Sequence, residues 1–475
     1  MWAPDPVVYQ VYPRSFQDSD GDGLGDLPGI ESRLGHIADL GADAVWLSPF
    51  YPSPDADFGY DIVDHTAVDP RYGTLADFDA LLAAAHARGL KLLVDFVPCH
   101  TSIEHPWFRE HLDWYIRRPP SPEPPNNWLA AFGGPVWDRD PVTGGWYLHS
   151  FYPEQPDLDW RNPEVVAAMQ DAIRFWRARG VDGFRLDAIH ELMKDPELRD
   201  DPPATEPFPL PLDPAYGALA HVHSANAPDI GDAVAAIRAA AGPDAMLVGE
   251  VFLPGPRLGT YLPHLDFAFA FELVFAPREA GPVRAAIESM LATGKAGWVL
   301  SNHDFSRIAS RWGPEAARAA AMLNLTLPGA LFVFEGDELG QADGPGHEPP
   351  YDRAGRDRFR HPPAWDDGPG AGFTTGRPWL DPVVPPDGPA SAQASEPGSM
   401  LRLYRDLLSV RRELAGAPAF LDTPERVLAY ARGDHVVAIN LGAEPWGDPP
   451  GGDVVLATDG GSGPLGPLAA RLIRS

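Results

Sequence analysis

Three short segments each run from apolar residues into a carboxylate: Gly183-Phe184-Arg185-Leu186-Asp187, Leu247-Val248-Gly249-Glu250 and Leu300-Ser301-Asn302-His303-Asp304. Each reads as a β-strand ending in an acid. About 55 to 65 residues separate successive acids, the length of roughly two strand–helix units of a parallel barrel. At the carboxyl ends of such strands, side chains converge on the face where chemistry occurs. Like charges brought together oppose one another, so stability gives no reason to gather three carboxylates. One carboxylate that attacks and one carboxylic acid that protonates the leaving oxygen are the equipment of glycoside hydrolysis.

The elements that must position these acids follow a strand–helix rhythm. Val7-Val8-Tyr9-Gln10-Val11-Tyr12 is β-rich and stops at Pro13; Ile30, Leu34, Ile37 and Leu40 share a helix face, and Gly41 ends it. Asp43–Leu47 reads as a buried strand. Thr74 with Asp77 predicts an N-cap for a helix to His86, Gly89 stops it, and Leu90–Val97 is a third strand. Pro163 opens a helix to Arg179. Further strands are expected near 181–186, 245–249, 265–270, 297–301 and 330–334, eight in all, the number of a (β/α)8 TIM barrel of the α/β class. Residues 101–160, rich in Pro, Trp and Gly, read as a subdomain inserted after the third strand, and 190–243 and 335–400 as long irregular loops. Helix 400–413 closes the barrel, and short strands over 415–475 predict a small C-terminal antiparallel β-domain. The expected division is therefore barrel at 1–100 and 161–414, inserted subdomain at 101–160, and β-domain at 415–475.

Composition narrows the partners. A formal charge of −30 argues against nucleic acid, whose phosphates need Lys and Arg, and disfavours anionic membranes, so neither is an expected partner. No apolar run approaches the roughly 20 residues of a membrane helix. The stretch Met1–Pro6 has no basic and apolar regions of a signal peptide, and Cys99 is the lone cysteine; both suit a cytoplasmic protein. Lysine is confined to Lys91, Lys194 and Lys295. Prolines cluster at 119–125, 202–214 and 378–389, where they stiffen loops.

Taken in order, Val8–Phe16, Phe58-Gly59-Tyr60-Asp61, Asp95–Ser102, Gln155-Pro156-Asp157-Leu158, Gly183–Asp187, Gly249-Glu250, Asn302-His303-Asp304 and Gly372–Gly376 resemble the α-amylase superfamily of retaining glycoside hydrolases, in particular its oligo-1,6-glucosidase and α-glucosidase group. The resemblance implies Asp187 as nucleophile, Glu250 as general acid/base and Asp304 as transition-state stabiliser. Chemistry agrees: Arg185 lies on the same side of its strand as Asp187 and favours the ionised form of a nucleophile. Glu250 must begin protonated, and an ionised Asp187 nearby helps it to do so. By the same resemblance His100 and His303 contact the innermost glucose, Tyr60 stacks on it and Asp61 binds its far hydroxyls. Arg360 pairs with Asp61 to close the pocket, and Phe132 and Phe151 form its wall. Ala188, directly after the nucleophile, borders the next sugar; in the group a valine there accompanies α-1,6 preference, so alanine predicts α-1,4.

Asp18-Ser19-Asp20-Gly21-Asp22-Gly23-Leu24-Gly25-Asp26 alternates oxygen ligands with glycines, which suits Ca²⁺. It lacks the distal Glu of an EF-hand. The resemblance implies a structural Ca²⁺, or Mg²⁺ in its place, held by Asp18, Asp20, Asp22, the Leu24 carbonyl and Asp26, with no organic cofactor. Two positions depart from the group, Cys99 and Asp159, where Asn is usual. The expected activity is exo-hydrolysis of maltose and short malto-oligosaccharides by a monomer or weak homodimer. The alternative is a glucosyl transferase or isomerase on the same barrel, such as a trehalose synthase or a sucrose-converting enzyme. A non-catalytic transporter partner is a third reading, disfavoured by the complete acid triad.

Overall fold

The computed structural model describes residues 2–205, 215–461 and 463–474. Of the prolines at 202–214, Pro207, Pro209, Pro211 and Pro214 lie outside the described residues. Eight strands close into a barrel in which each pairs in parallel with its chain neighbours. They are β1 (Val7–Val11), β2 (Ala44–Leu47), β3 (Lys91–Phe96), β4 (Gly183–Leu186), β5 (Met246–Gly249), β6 (Phe267–Phe269), β7 (Ala296–Trp298) and β8 (Ala330–Phe334), and β8 returns to β1. Their residues are almost all buried, which is why they read as unbroken apolar runs without a polar alternation.

Among the described residues seven longer helices pack outside: α1 (Leu27–Leu40), α2 (Leu75–Ala87), α3 (Pro163–Arg179), α4 (Ile230–Ala241), α5 (Ala280–Leu291), α6 (Pro314–Thr326) and α7 (Met400–Arg411). Between β5 and β6 a 3₁₀ segment, Gly255–Thr260, stands in for a helix. The punctuation read from sequence operates as local physics requires. Thr74 and Asp77 form a reciprocal capping box at α2, Asn162 caps α3 ahead of Pro163, and Gly41 ends α1 in the left-handed region at φ 101°.

Two expectations are corrected. The stretch 190–243 is not irregular throughout, because α4 occupies its end with Ile230, Val234 and Ile237 buried on one face. Asp229 at its start makes no side-chain cap bond, so the usual start signal is missing. The seventh strand ends at Trp298, not near 301, which puts Asp304 in a loop beyond the ladder.

The inserted region holds a small antiparallel sheet in which 146–148 pairs with both 117–118 and 137–139 over a core containing Trp128, Trp137 and Trp146. It is tied back to the barrel by bridges His100–Asp157 and Tyr115–Leu158. The last strands, β9 (Ala419–Phe420), β10 (Val427–Arg432), β11 (His435–Asn440), β12 (Asp453–Ala457) and β13 (Ala470–Arg474), form an antiparallel sheet in the order β9-β10-β11-β13-β12. It docks on α6: Thr326 and Tyr430 hydroxyls lie 2.6 Å apart, and Arg432 donates to the Thr326 carbonyl at 2.7 Å.

Candidate active site

Arg185 on β4 is the hub. Its Nη1 lies 2.6 Å from Asp187 Oδ1 and 2.9 Å from Asp95 Oδ1 at the end of β3, and its Nη2 lies 2.7 Å from Glu250 Oε2 just past β5. Neighbouring strand ends are held level by ladder bonds, Asp187 N–H to Phe96 O at 2.9 Å and Glu250 N–H to Leu186 O at 2.9 Å. The N–H of Ala188 also donates to Glu250 Oε2, at 3.0 Å. Gly249 admits this packing because a Cβ there would meet Leu265 Cδ1 at 2.5 Å. Asp304 is presented by an Asx turn, with its own N–H and that of Phe305 donating to Asn302 Oδ1 at 2.9 and 3.0 Å.

The acids differ electrostatically. Burial pushes Asp187 well above the ordinary carboxylate range; Arg185 opposes this, while Glu250, Asp95 and Asp304 add to it. Burial likewise raises Asp95 to about 6 against the pull of Arg185. Asp304 goes the other way: against burial, the nearby His303, Arg356 and Arg360 hold it at about 2. One guanidinium cannot neutralise the buried carboxylates around it, so Asp95 and Asp187 stay above the ordinary carboxylate range despite Arg185.

The acids open into a cavity of about 950 Å³ lined, among others, by Tyr60, His100, Phe132, Phe151, Asp187, Ala188, Glu250 and Asp304. Phe132 and Phe151 reach it from the inserted subdomain, 5.7 Å apart between ring centres. His100 packs edge-on against Phe151, and burial first, then His65 and Lys194, hold its pKa at about 3, so it is neutral. His303 stands behind the wall, with no exposed surface. The Gln10 amide donates to its Nδ1 at 2.9 Å, which leaves the ring proton on Nε2, facing the Tyr60 hydroxyl at 2.6 Å and Asp304 Oδ2 at 3.0 Å. It therefore braces Tyr60 and Asp304, where direct sugar contact was expected.

The closing pair is also corrected. Asp61 does not meet Arg360. Its carboxylate, fully buried, accepts from Ser53 Oγ at 2.7 Å and from the N–H groups of Ala56 and Asp57 at 3.0 Å, and so shapes its own loop. Arg360 is buried beneath the site, donating to the His303 carbonyl at 2.8 Å and reaching Asp304 at 3.4 Å. The pair that faces the cavity is Asp57 with Arg356, which also binds Asp304 at 3.0 Å and Asp352 at 2.7 Å. Sequence reasoning missed Asp57, Arg356, Asp95 and Gln10. Asp95 sits in a matching segment at a strand end, a signal that could have found it.

The departures from the group resolve locally. Cys99 is buried with its thiol 3.6 Å from the Glu191 carbonyl, and burial raises its pKa well above normal. Asp159 accepts from the Arg161 N–H at 3.0 Å. In the acidic loop, ligand atoms of Asp18, Asp20 and Asp22 lie within 4.8 Å of one another. Asp18 also accepts from the N–H groups of Asp20, Gly21 and Gly23. Asp26 instead caps α1, accepting from Gly29 N–H at 2.6 Å and from Ser19. Among the described residues no helix is long and apolar enough to cross a membrane.

Residues 10–416 match the family model described as alpha amylase, catalytic domain. A probable alpha-glucosidase of Rhizobium meliloti (strain 1021) is 39% identical, with 91% of this chain and 87% of the relative covered. A probable oligo-1,6-glucosidase 2 of Bacillus subtilis (strain 168) is 35% identical over 87% and 84% of the two chains. Among solved structures, the alpha-glucosyl transfer enzyme XgtA superposes with a TM-score of 0.90 at 38% identity, covering 99% of each chain. The trehalulose synthase MutB from Pseudomonas mesoacidophila MX-45 does so with 0.87 at 31%, over 99% and 98%. A catalytic-domain match across most of the chain, relatives of this identity and acids gathered at the ends of barrel strands make this chain a member of the alpha-amylase family of glycoside hydrolases.

Proposed function

We propose that the protein is a retaining, exo-acting α-glucosidase that removes terminal glucose from short α-glucosides, α-1,4 linkages before α-1,6. The observation that carries this is the sharing of Arg185 by Asp187 and Glu250 at the base of a cavity whose wall includes the Asp57–Arg356 pair. Two carboxylates on one guanidinium suit the shorter of the two glycosidase separations, about 5–5.5 Å, at which one acid attacks carbon directly. Asp187 attacks the anomeric carbon while Glu250 protonates the departing oxygen. Glu250 then takes a proton from water, which releases glucose from the covalent glucosyl-enzyme. Asp304, held ionised, faces the positive charge that develops on the ring, and Tyr60 offers an aromatic face to the sugar. Asp57 and Arg356 bind the terminal hydroxyls.

The carboxylates of Asp18, Asp20 and Asp22 converge closely enough to share one ion. Their hard oxygens fit Ca²⁺ or Mg²⁺, with the Leu24 carbonyl as a further ligand, while Asp26 serves the cap of α1. Its role is to stabilise the loop. The lone buried thiol suits the cytoplasm.

The similarity to a glucosyl transfer enzyme and to a trehalulose synthase favours a second reading, in which a sugar and not water resolves the glucosyl-enzyme. Product analysis by NMR during turnover of maltose tests both: glucose alone supports hydrolysis, and a new disaccharide supports transfer.

A further inference from the structure

The Asp57–Arg356 pair joins two loops with no shared secondary structure, one after β2 and one after β8, and the inserted subdomain forms a third side. Arg353, three residues before Arg356, touches all of them. Its Nη2 lies 2.9 Å from Glu154 Oε2, and its Nη1 lies 3.2 Å from Glu154 Oε1, a forked ion pair to the subdomain. The same Nη2 donates to the carbonyl of Ala56, next to Asp57, at 3.1 Å. Its guanidinium lies 4.1 Å from the centre of the Tyr152 ring, which stacks on Phe132 at 4.6 Å, and Phe132 in turn lies under Arg356 at 5.2 Å. Two guanidinium groups thus hold two stacked subdomain rings between them at the cavity wall.

We propose that Arg353 is a positioning residue that bolts this wall shut, holding Asp57 and Arg356 in register for the terminal sugar. This rests on the exo-glucosidase reading and adds the residue that keeps the pocket closed. Arg353 borders the cavity, but its hydrogen bonds go to Glu154 and Ala56 and not to Asp187, Glu250 or Asp304. Its effect passes through the subdomain and the β2 loop, so it belongs to binding and not to bond cleavage. The Arg353 and Glu154 side chains are about half exposed, at 47% and 40%, so the bolt is open to screening by salt.

The test combines kinetics on maltose with calorimetric titration of glucose, from about 0.01 to about 0.5 M NaCl, a range in which the screening length falls severalfold. The proteins are wild type, Arg353→Ala, Arg353→Lys, Glu154→Gln and, as a control for losing an exposed ion pair, Arg174→Ala. Arg353→Ala is expected to raise KM and the glucose Kd about fivefold with kcat within about twofold, the size of a well-formed exposed pair. Wild-type values should climb with salt toward those of the variant, which should stay flat. Arg353→Lys should fall between them, Glu154→Gln should resemble Arg353→Ala, and the control should resemble wild type. Equal Kd and equal salt slopes in wild type and in an Arg353 variant of unchanged melting temperature would overturn the proposal, as would a loss confined to kcat. Internal cleavage of soluble starch by wild type with no glucose released would overturn the exo reading instead, and the glucose titration would still judge Arg353. Failure of wild type to bind glucose would overturn both.

Discussion

Asp57 and Asp61 stand four residues apart in one loop, and the structure gives them different work. Asp57 meets Arg356 at the cavity, whereas Asp61 accepts three bonds from its own loop. Asp57→Asn should therefore lower kcat/KM on maltose by about 100-fold or more, since a charged contact and its buried partner are lost together. Asp61→Asn should lower the melting temperature yet leave kcat/KM within about threefold. The reverse pattern would restore Asp61 to the site. This difference was not legible in the sequence: an acid at a strand end announces its direction, but loop acids face wherever the turn sends them. Arg185 and Asp187 were legible for that reason, being two apart on one strand. Ala188 is a second such case. It borders the cavity with φ at 41°, a region costly for a β-branched residue, and its N–H holds Glu250. Ala188→Val should shift the kcat/KM ratio toward isomaltose by about 10-fold or more, as a few contacts in a subsite allow. The strain should also reduce kcat on both sugars. An unchanged ratio would move linkage selection to other residues.

The acidic loop takes its shape from the chain packed around it. Gly23, at φ 98°, passes so close to the chain that a Cβ would lie 2.0 Å from the Arg377 carbonyl oxygen, and Thr374 donates to Asp18. The loop is thus pinned to the 374–377 segment while Asp20 and Asp22 remain exposed beside Asp18. With metal bound, chelation should lower the melting temperature by several degrees while activity at mild temperature changes little. A chelator without effect on melting, in protein shown by elemental analysis to have carried metal, would reject a stabilising role. At this scale the sequence reads well where periodicity and caps coincide, as at α2 and α3. It reads poorly where one is absent, as at α4, whose start has no side-chain cap. The inserted subdomain resisted reading because strands of two or three residues carry no periodic signal, and its cohesion comes from tryptophans that meet only on folding.

The whole molecule carries a formal charge of −30 and encloses several carboxyls raised by burial: Asp61, Asp95 and Asp157 to about 6 and Asp337 to about 7. For an acid raised on folding, the stabilising contribution is complete below its unfolded value of about 4 and is lost as pH climbs through the folded value. Asp304, held at about 2, acts oppositely, and its contribution fades only as pH falls below about 4. Together with mutual repulsion at high charge, this predicts a melting temperature that falls steadily from pH 5 to pH 8 at fixed salt. Calorimetry showing a flat or rising melting temperature over that window would contradict the assignment. The barrel itself was legible as a count of eight buried runs, despite the insertion after the third, because parallel strands covered on both faces have little choice of composition. The central claim is that Asp187 attacks and Glu250 protonates, so that two inversions occur at one carbon. The most direct test is ¹H NMR of the glucose released from an aryl α-glucoside, whose leaving group has no anomeric centre, read before mutarotation. The account predicts the α-anomer; a β-anomer as first product would contradict it.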